Sequence, residues 1–169
     1  MANSTNQADW LAFALLLIDV QCDFWPESIA QAFPQFAEKV TRLLAFCRTV
    51  GIEMIHLCAA FAPDPSNWMA KYHWLGRVPC VWGTHGIEAL SCAAALPGEP
   101  VLEKQIFDGF QAPGRLPLLR AQRKRFVLTA GLKTSIVYER ARHDFHKGWH
   151  PPENFVTLHG FPKYSIVYA

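Results

Sequence analysis

Three segments of the chain place polar residues where apolar runs end. Asp19 closes the run at residues 12–18, Lys104 closes the run at residues 101–103, and a turn from Gly131 to Thr134 follows another. A carboxylate at the end of a buried strand is half desolvated, which suits general acid–base chemistry. A lysine in such a place must find an anion, and Asp19 is a natural partner. A glycine-led turn that opens a helix presents backbone amides, as an oxyanion site requires.

Each feature also has a purely structural explanation. Asp19 could cap a loop by accepting hydrogen bonds from backbone amides. Lys104 could extend its ammonium to solvent along an apolar surface. Glycine turns between a strand and a helix are common in proteins without any site. The functional interpretation therefore depends on whether the three segments meet in space.

The apolar pattern predicts the elements that would bring them together. Continuous apolar runs indicate buried strands, and a spacing of three to four indicates helices. Strands are predicted at residues 12–18, 52–58, 101–104, 125–130 and 154–159, with a weak last strand at 164–168. Helices are predicted at residues 34–50 (ended by Gly51), 115–122 and 134–147, with a possible short helix at 86–94. Alternating strands and helices indicate an α/β protein, a three-layer, doubly wound, mostly parallel sheet whose ligands bind at the carboxyl ends of the strands.

Length and composition limit the classes of protein. The 169 residues suit one domain, which we place at residues 10–169 after a frayed segment at 1–9. A net charge of +2 gives no reason to expect nucleic acid, and the longest apolar run is too short to span a membrane. Five scattered cysteines and the lack of a signal sequence favour a reducing, cytoplasmic location.

Four motifs, in this order along the chain, resemble those of the isochorismatase-like cysteine hydrolases. Residues 17–24 (LIDVQCDF) are similar to the first-strand motif, with a cysteine where asparagine is common. Residues 82–88 (WGTHGIE) resemble the glycine–threonine loop, and residues 101–104 (VLEK) resemble the lysine strand. Residues 128–135 (LTAGLKTS) resemble the strand and turn before the nucleophile. The resemblance covers about residues 12–135.

The resemblance implies a parallel sheet of about six strands and a site for a small-molecule amide or related metabolite. We expect no cofactor and no metal, because only Asp64 and His73 stand where the nicotinamidase branch has its metal-binding run of an aspartate and paired histidines. In the amidase branch the aspartate deprotonates a cysteine that attacks the amide carbon, and the lysine orients the aspartate. The turn before the nucleophile supplies an oxyanion hole beside a cis peptide. Members commonly form homo-oligomers, which we expect here. The residues assigned to the site by this resemblance are Asp19 and Lys104, the turn Gly131, Leu132, Lys133 and Thr134, and a pocket of Gln21, Phe24, Trp25, Gly83, Thr84 and Phe110.

The chain departs from the family at the nucleophile. Counting along the turn motif puts the family's cysteine at Val137, and no cysteine follows Cys92 anywhere in the sequence. Ser135 and Tyr138 lie two positions before and one position after Val137, so on a helix their side chains point about 200° and about 100° away, which disfavours either as a replacement. Beyond Ser135 the sequence is divergent and shortened, which fits either drift after loss of catalysis or another reading frame or splice form.

Three functions stay open on the sequence alone. The first is a hydrolase homologue that keeps Asp19 and Lys104 but has weak or no amidase activity. The second is a vinyl-ether hydrolase of the isochorismate type, which uses Asp19 as general acid and needs no nucleophile. The third is a non-catalytic binding or scaffold subunit. The tryptophans Trp25, Trp68, Trp74 and Trp82 could line an aromatic pocket, or they could cover the sheet ends or a dimer face.

Overall fold

The structure is a computed structural model that describes residues 9–106, residue 124, residues 126–132, and the backbone of strands at 156–161 and 164–168. The helices within these ranges are α1 (Glu27–Ala32), α2 (Phe36–Val50) and α3 (Ala70–Leu75). The strands are β1 (Phe13–Ile18), β2 (Glu53–Ala59), β3 (Val101–Lys104), β4 (Phe126–Gly131), β5 (Val156–Phe161) and β6 (Tyr164–Tyr168). Single 3₁₀ turns lie at Trp10–Ala12, Cys22–Phe24, Pro65–Asn67, His85–Ile87 and Ser91–Ala93.

The strands form one sheet in the order β3-β2-β1-β4-β6-β5. β1 pairs in parallel with both β2 and β4, and β2 pairs in parallel with β3. β6 pairs antiparallel with β4 and with β5. The predicted α/β class with a mostly parallel sheet is therefore confirmed, and its centre is the four-stranded parallel unit.

β1 is buried on both faces, as its unbroken apolar run predicts. Its residues alternate between two cores: Leu15 and Leu17 face one, and Ala14, Leu16 and Ile18 face the other. All five are at most 2% exposed. A strand that is buried on both faces can only lie in the middle of a covered sheet, which explains why this run lacks polar alternation.

α2 covers the first of these cores. Val40, Leu44 and Cys47 project from one side of the helix and pack with Leu15 and Leu128 of the sheet. Fully burying a leucine such as Leu44 contributes roughly 1.5–3 kcal/mol. The helix ends where Gly51 takes a left-handed conformation, with φ of 78°, which is the predicted termination.

The predicted boundaries of the first four strands agree with the structure to within one residue, and β5 begins two residues later than predicted. The short helix expected at residues 86–94 is wrong. That segment contains two separate 3₁₀ turns, and Gly86 in the first of them packs against the carboxylate of Asp23. α1 and α3 were not predicted, since six residues are too few for a clear periodic pattern. The helices predicted at 115–122 and 134–147 lie outside the described residues, as do residues 1–8.

None of the described helices is long and apolar enough to cross a membrane.

Candidate active site

The carboxyl ends of the parallel strands meet at one edge of the sheet. In the register of the sheet Ile18 lies beside Leu57 on one side and Gly131 on the other, and Ala59 lies beside Lys104. The residues that follow β1 are therefore flanked by the ends of β2 and β4, with β3 one strand farther away. This is the edge where doubly wound sheets bind ligands.

Asp19 and Lys104 form an ion pair at this edge. The Lys104 Nζ donates a hydrogen bond of 2.7 Å to Asp19 Oδ2. Asp19 is 5% exposed and Lys104 is 3% exposed, so both charges are withdrawn from water. The structure thus brings together the two polar residues that the sequence places at strand ends, and their role in catalysis stays a prediction.

Asp19 is held in an unusual backbone conformation. Its φ is 55°, in the left-handed region that residues other than glycine, asparagine and aspartate rarely occupy. Its N–H still donates to the carbonyl of Leu57 at 2.9 Å, which extends the pairing with β2 by one residue. The left-handed turn ends the strand at Ile18, directly before the charged residue.

The glycine turn packs directly onto β1. Gly131 has φ of 139°, and a Cβ at this position would overlap the backbone of Ile18. The N–H of Leu132 donates to the Ile18 carbonyl at 2.9 Å. That amide is therefore occupied by the sheet and is not available as an oxyanion donor. Lys133 and Thr134, the expected cis peptide between Leu132 and Lys133, and the nucleophile position Val137 lie outside the described residues.

Gln21 ties the loop after β1 to its neighbours. It is completely buried, and its amide nitrogen donates to the carbonyls of Ala59 (2.9 Å) and Ile87 (2.8 Å). Its Oε1 accepts the N–H of Ala59 at 2.8 Å. The Gln21 side chain, which the resemblance assigns to the pocket, thus bonds to backbone groups. These bonds hold the loop that carries Asp19 in place beside β2.

The glycine–threonine loop lies at the rim of this edge. Gly83 and Thr84 are both exposed, and the Thr84 hydroxyl donates to the carbonyl of Val81 at 2.8 Å. Trp82 donates through Nε1 to Glu103 of β3 at 3.2 Å. Asp23 anchors the start of the loop by accepting the N–H of Cys80 at 2.6 Å. The loop therefore borders the site, but the Thr84 hydroxyl is already hydrogen-bonded to a backbone carbonyl.

The aromatic side chains expected in the pocket divide into two groups. Phe24 packs on a cluster formed by Ala59, Phe61, Tyr72 and Cys80, near the end of β2. Trp25 turns the other way and stacks on Phe36 of α2, with ring centroids 4.5 Å apart. Trp68 packs on the same cluster as Phe24, whereas Trp74 is 95% exposed. Phe110 lies outside the described residues.

Tyr72 is a candidate site residue that the sequence does not reveal. It belongs to α3, is 7% exposed, and packs edge-on against Phe61 with ring centroids 5.3 Å apart. Burial, then the negative charge of Asp19, and then that of Cys80 together raise the pKa of Tyr72 to about 12. A helix of six residues is too short to carry a pattern from which this position could be predicted.

Three of the described thiols are poor nucleophiles. Burial raises the pKa of Cys47 to about 11 and also raises the pKa of Cys92. The pKa of Cys22, the thiol nearest to Asp19 in sequence, is raised by burial and then by the charges of Glu88 and Asp23. Since the thiolate is the reactive form, these shifts count against a nucleophile relocated to Cys22.

The described ranges contain no group of three metal-ligating side chains.

A comparison of the sequence with known families finds one match. The model of the family described as "Isochorismatase domain" matches residues 13–151, which is most of the chain. A search among curated proteins finds no significant match.

Solved structures share the fold. A cysteine hydrolase from Pseudomonas syringae pv. phaseolicola 1448A superposes with a TM-score of 0.73 at 18% identity, over 83% of this chain and 68% of that one. An isochorismatase family protein from Desulfovibrio vulgaris subsp. vulgaris str. Hildenborough gives 0.64 at 28% identity, over 71% and 66%. A nicotinamidase/pyrazinamidase from Bacillus subtilis gives 0.67 at 21% identity, over 82% and 81%. These structures agree with the predicted fold, and because the family model matches most of the chain, the chain belongs to the isochorismatase family, whose members include hydrolases.

Proposed function

We propose that this chain binds a small amide or related metabolite at the Asp19–Lys104 edge of the sheet, and that its amidase activity is weak or lost. The observation that carries the proposal is the buried ion pair, with 2.7 Å between Lys104 Nζ and Asp19 Oδ2. Withdrawing two charges from water costs free energy that their attraction often fails to recover, so such a pair is poor at stabilising a fold. Binding of a ligand to Asp19 and Lys104 would give this ion pair a function other than stability.

The ion pair with Lys104 favours a role for Asp19 as a base. An ammonium 2.7 Å away stabilises the ionised carboxylate, which accepts protons and hydrogen bonds. In a family amidase such a carboxylate would deprotonate the nucleophilic cysteine. Here the count along the turn motif gives Val137 at that position, and the chain has no cysteine beyond Cys92. Loss of a nucleophile costs about 5–8 kcal/mol of transition-state stabilisation, which corresponds to several orders of magnitude in rate.

The absence of a thiol beyond Cys92 also supports an alternative function, hydrolysis of a vinyl ether with Asp19 as general acid. This reaction needs a proton on the carboxyl group but no covalent intermediate. Because Lys104 favours the ionised form, turnover by this route should increase as the pH falls. That pH dependence distinguishes an acid role for Asp19 from a base role.

Ligand-induced melting followed by turnover assays tests the proposal. We expect nicotinamide or simple carbamoyl amides to raise the melting temperature of the protein without measurable hydrolysis. Asp19→Asn should abolish the shift, while Asp64→Asn, a matched change of an exposed acid, should leave it intact. Isochorismate turnover that rises at low pH and disappears in Asp19→Asn would establish the alternative. A melting temperature that no probe changes would contradict the proposal.

A gain-of-function variant tests the missing nucleophile separately. Val137→Cys should introduce amide hydrolysis that depends on Asp19, whereas Val137→Ala should not. If wild-type protein hydrolyses amides as fast as Val137→Cys, the nucleophile is not missing and this part of the proposal is wrong.

A further inference from the structure

The candidate site has a third polar group in Tyr72, which lies on the opposite side from the glycine turn. Tyr72 packs in one cluster with Ala59, Phe61 and Cys80. Ala59 is the last residue of β2 and lies beside Lys104 in the sheet. The ring of Tyr72 therefore lies close to the strand ends that carry the ion pair.

The ring of Tyr72 is fixed on two sides. Phe61 meets it at an interplanar angle of 74°, and the ammonium of Lys71 lies 4.5 Å from its centroid. A tyrosine held by its ring presents its hydroxyl in a defined direction, which costs a ligand little ordering entropy. The packing of its ring therefore suits Tyr72 to hold its hydroxyl oxygen in one position.

Asp19 lies within electrostatic range of Tyr72 but forms no hydrogen bond with it. The charge of Asp19 contributes to the raised pKa of Tyr72, so the two groups lie within electrostatic range. No hydrogen bond between Tyr72 and Asp19 is present, and the Tyr72 hydroxyl has no hydrogen-bond partner among the side chains and backbone groups that the structure describes. Because the phenol stays protonated at neutral pH, it offers a donor that these surroundings leave unused.

We propose that the Tyr72 hydroxyl determines ligand specificity by donating a hydrogen bond to a second acceptor on the ligand whose amide or acid group meets Asp19 and Lys104. This inference rests on the proposed function and adds a requirement to it. The ligand class is a small, flat amide or acid with an acceptor atom several bonds from its polar end. Its flat body would lie against the apolar cluster around Phe61.

Binding of matched probes tests this assignment. The three pyridinecarboxamide isomers carry a ring-nitrogen acceptor at different positions, and benzamide has the same shape without it. We expect at least one isomer to bind wild-type protein more tightly than benzamide. Tyr72→Phe, which keeps the packed ring, should weaken that isomer about three- to tenfold, as expected for one hydrogen bond, and should leave benzamide within about twofold.

Trp74→Phe provides the control, because it is an aromatic substitution in the same helix at a side chain that is 95% exposed. It should leave the affinity for every probe unchanged. Equal weakening of all four probes by Tyr72→Phe would show a merely structural role and overturn the assignment, while the proposed function would stand. Tyr72→Phe without effect on any isomer would overturn it as well. If wild-type protein binds none of the four probes, the proposed function fails together with the inference that rests on it.

Discussion

The backbone of Gly131 lies against the backbone of Ile18, closely enough that a side chain on Gly131 would overlap the Ile18 carbonyl oxygen. The same oxygen accepts the N–H of Leu132 at 2.9 Å. The contact joins the ends of β4 and β1 immediately before Asp19. The position of the candidate site therefore depends on a residue without a Cβ.

Gly131→Ala should destabilise the protein by at least about 3 kcal/mol, because it combines a strained φ with overlap of two backbones. Gly98→Ala is the matched control. Gly98 also has positive φ, 93°, but nothing lies within 4 Å of a Cβ there, so only conformational strain of about 1–2 kcal/mol is expected. Urea unfolding of both variants measures the difference, and equal losses would contradict the close contact.

Lys104→Met should destabilise the protein by about 3–5 kcal/mol, because it leaves the buried carboxylate of Asp19 without its counter-charge. Asp19→Asn removes that charge and still tolerates φ of 55°. The double variant should therefore be more stable than Lys104→Met alone. A double-mutant cycle in urea measures the coupling, and additive effects within about 0.5 kcal/mol would show that the pair does not interact as described.

The sequence predicted the central strands well because one physical rule dominates them. A strand that is buried on both faces must be apolar throughout, so the run that ends at Asp19 could be recognised without a structure. β3, which ends at Lys104, is an edge strand with Val101 and Glu103 exposed, and it does not follow this rule. The meeting of Asp19 and Lys104 was predicted from the topology, since the carboxyl ends of parallel strands share an edge of the sheet. α2 was predicted because its 15 residues show the helical period several times.

The features that the sequence did not reveal depend on long-range contacts that leave no local pattern. Tyr72 gains its position from packing against Phe61, and Gln21 from hydrogen bonds to Ala59 and Ile87, which is 66 positions away. The Leu132 amide was expected to face a ligand. Because β4 lies close to β1, its N–H instead donates to the carbonyl of Ile18. The residue types indicated which chemistry the strand ends could carry out. The partner of each hydrogen-bond donor, however, depends on three-dimensional contacts that the sequence does not show.

Gln21→Leu should destabilise the protein by about 3 kcal/mol or more, because it keeps the approximate volume but removes three hydrogen bonds to buried backbone groups. Gln31→Leu is the matched control: Gln31 bonds only to Glu27 on the exposed side of α1, and such a pair contributes about 0.2–0.5 kcal/mol. Chemical unfolding of the two variants checks the prediction. A Gln21 variant as stable as the Gln31 variant would show that the side chain does not hold the loop.

The ion pair between Glu99 and Arg48 should make stability depend on pH in the acid range. The hydrogen bonds from Arg48, at 2.8 and 3.0 Å, hold the pKa of Glu99 at about 2 instead of 4.5, assisted by the N–H of Leu96 and by His56. A carboxyl group with a lowered folded pKa stabilises the protein fully above its unfolded pKa, and this contribution is lost as the pH falls toward the folded value.

Between pH 5 and pH 2.5, wild-type protein should therefore lose about 2–3 kcal/mol more of its unfolding free energy than Glu99→Gln, which cannot titrate. Glu38→Gln is the matched control, because Glu38 and its partner Arg42 are 69% and 79% exposed and their pair adds little. Urea unfolding at pH 5, 4, 3 and 2.5 measures how the stability of each of the three proteins changes with pH. If wild-type protein and Glu99→Gln lose stability in parallel over this range, Glu99 is not the group that titrates.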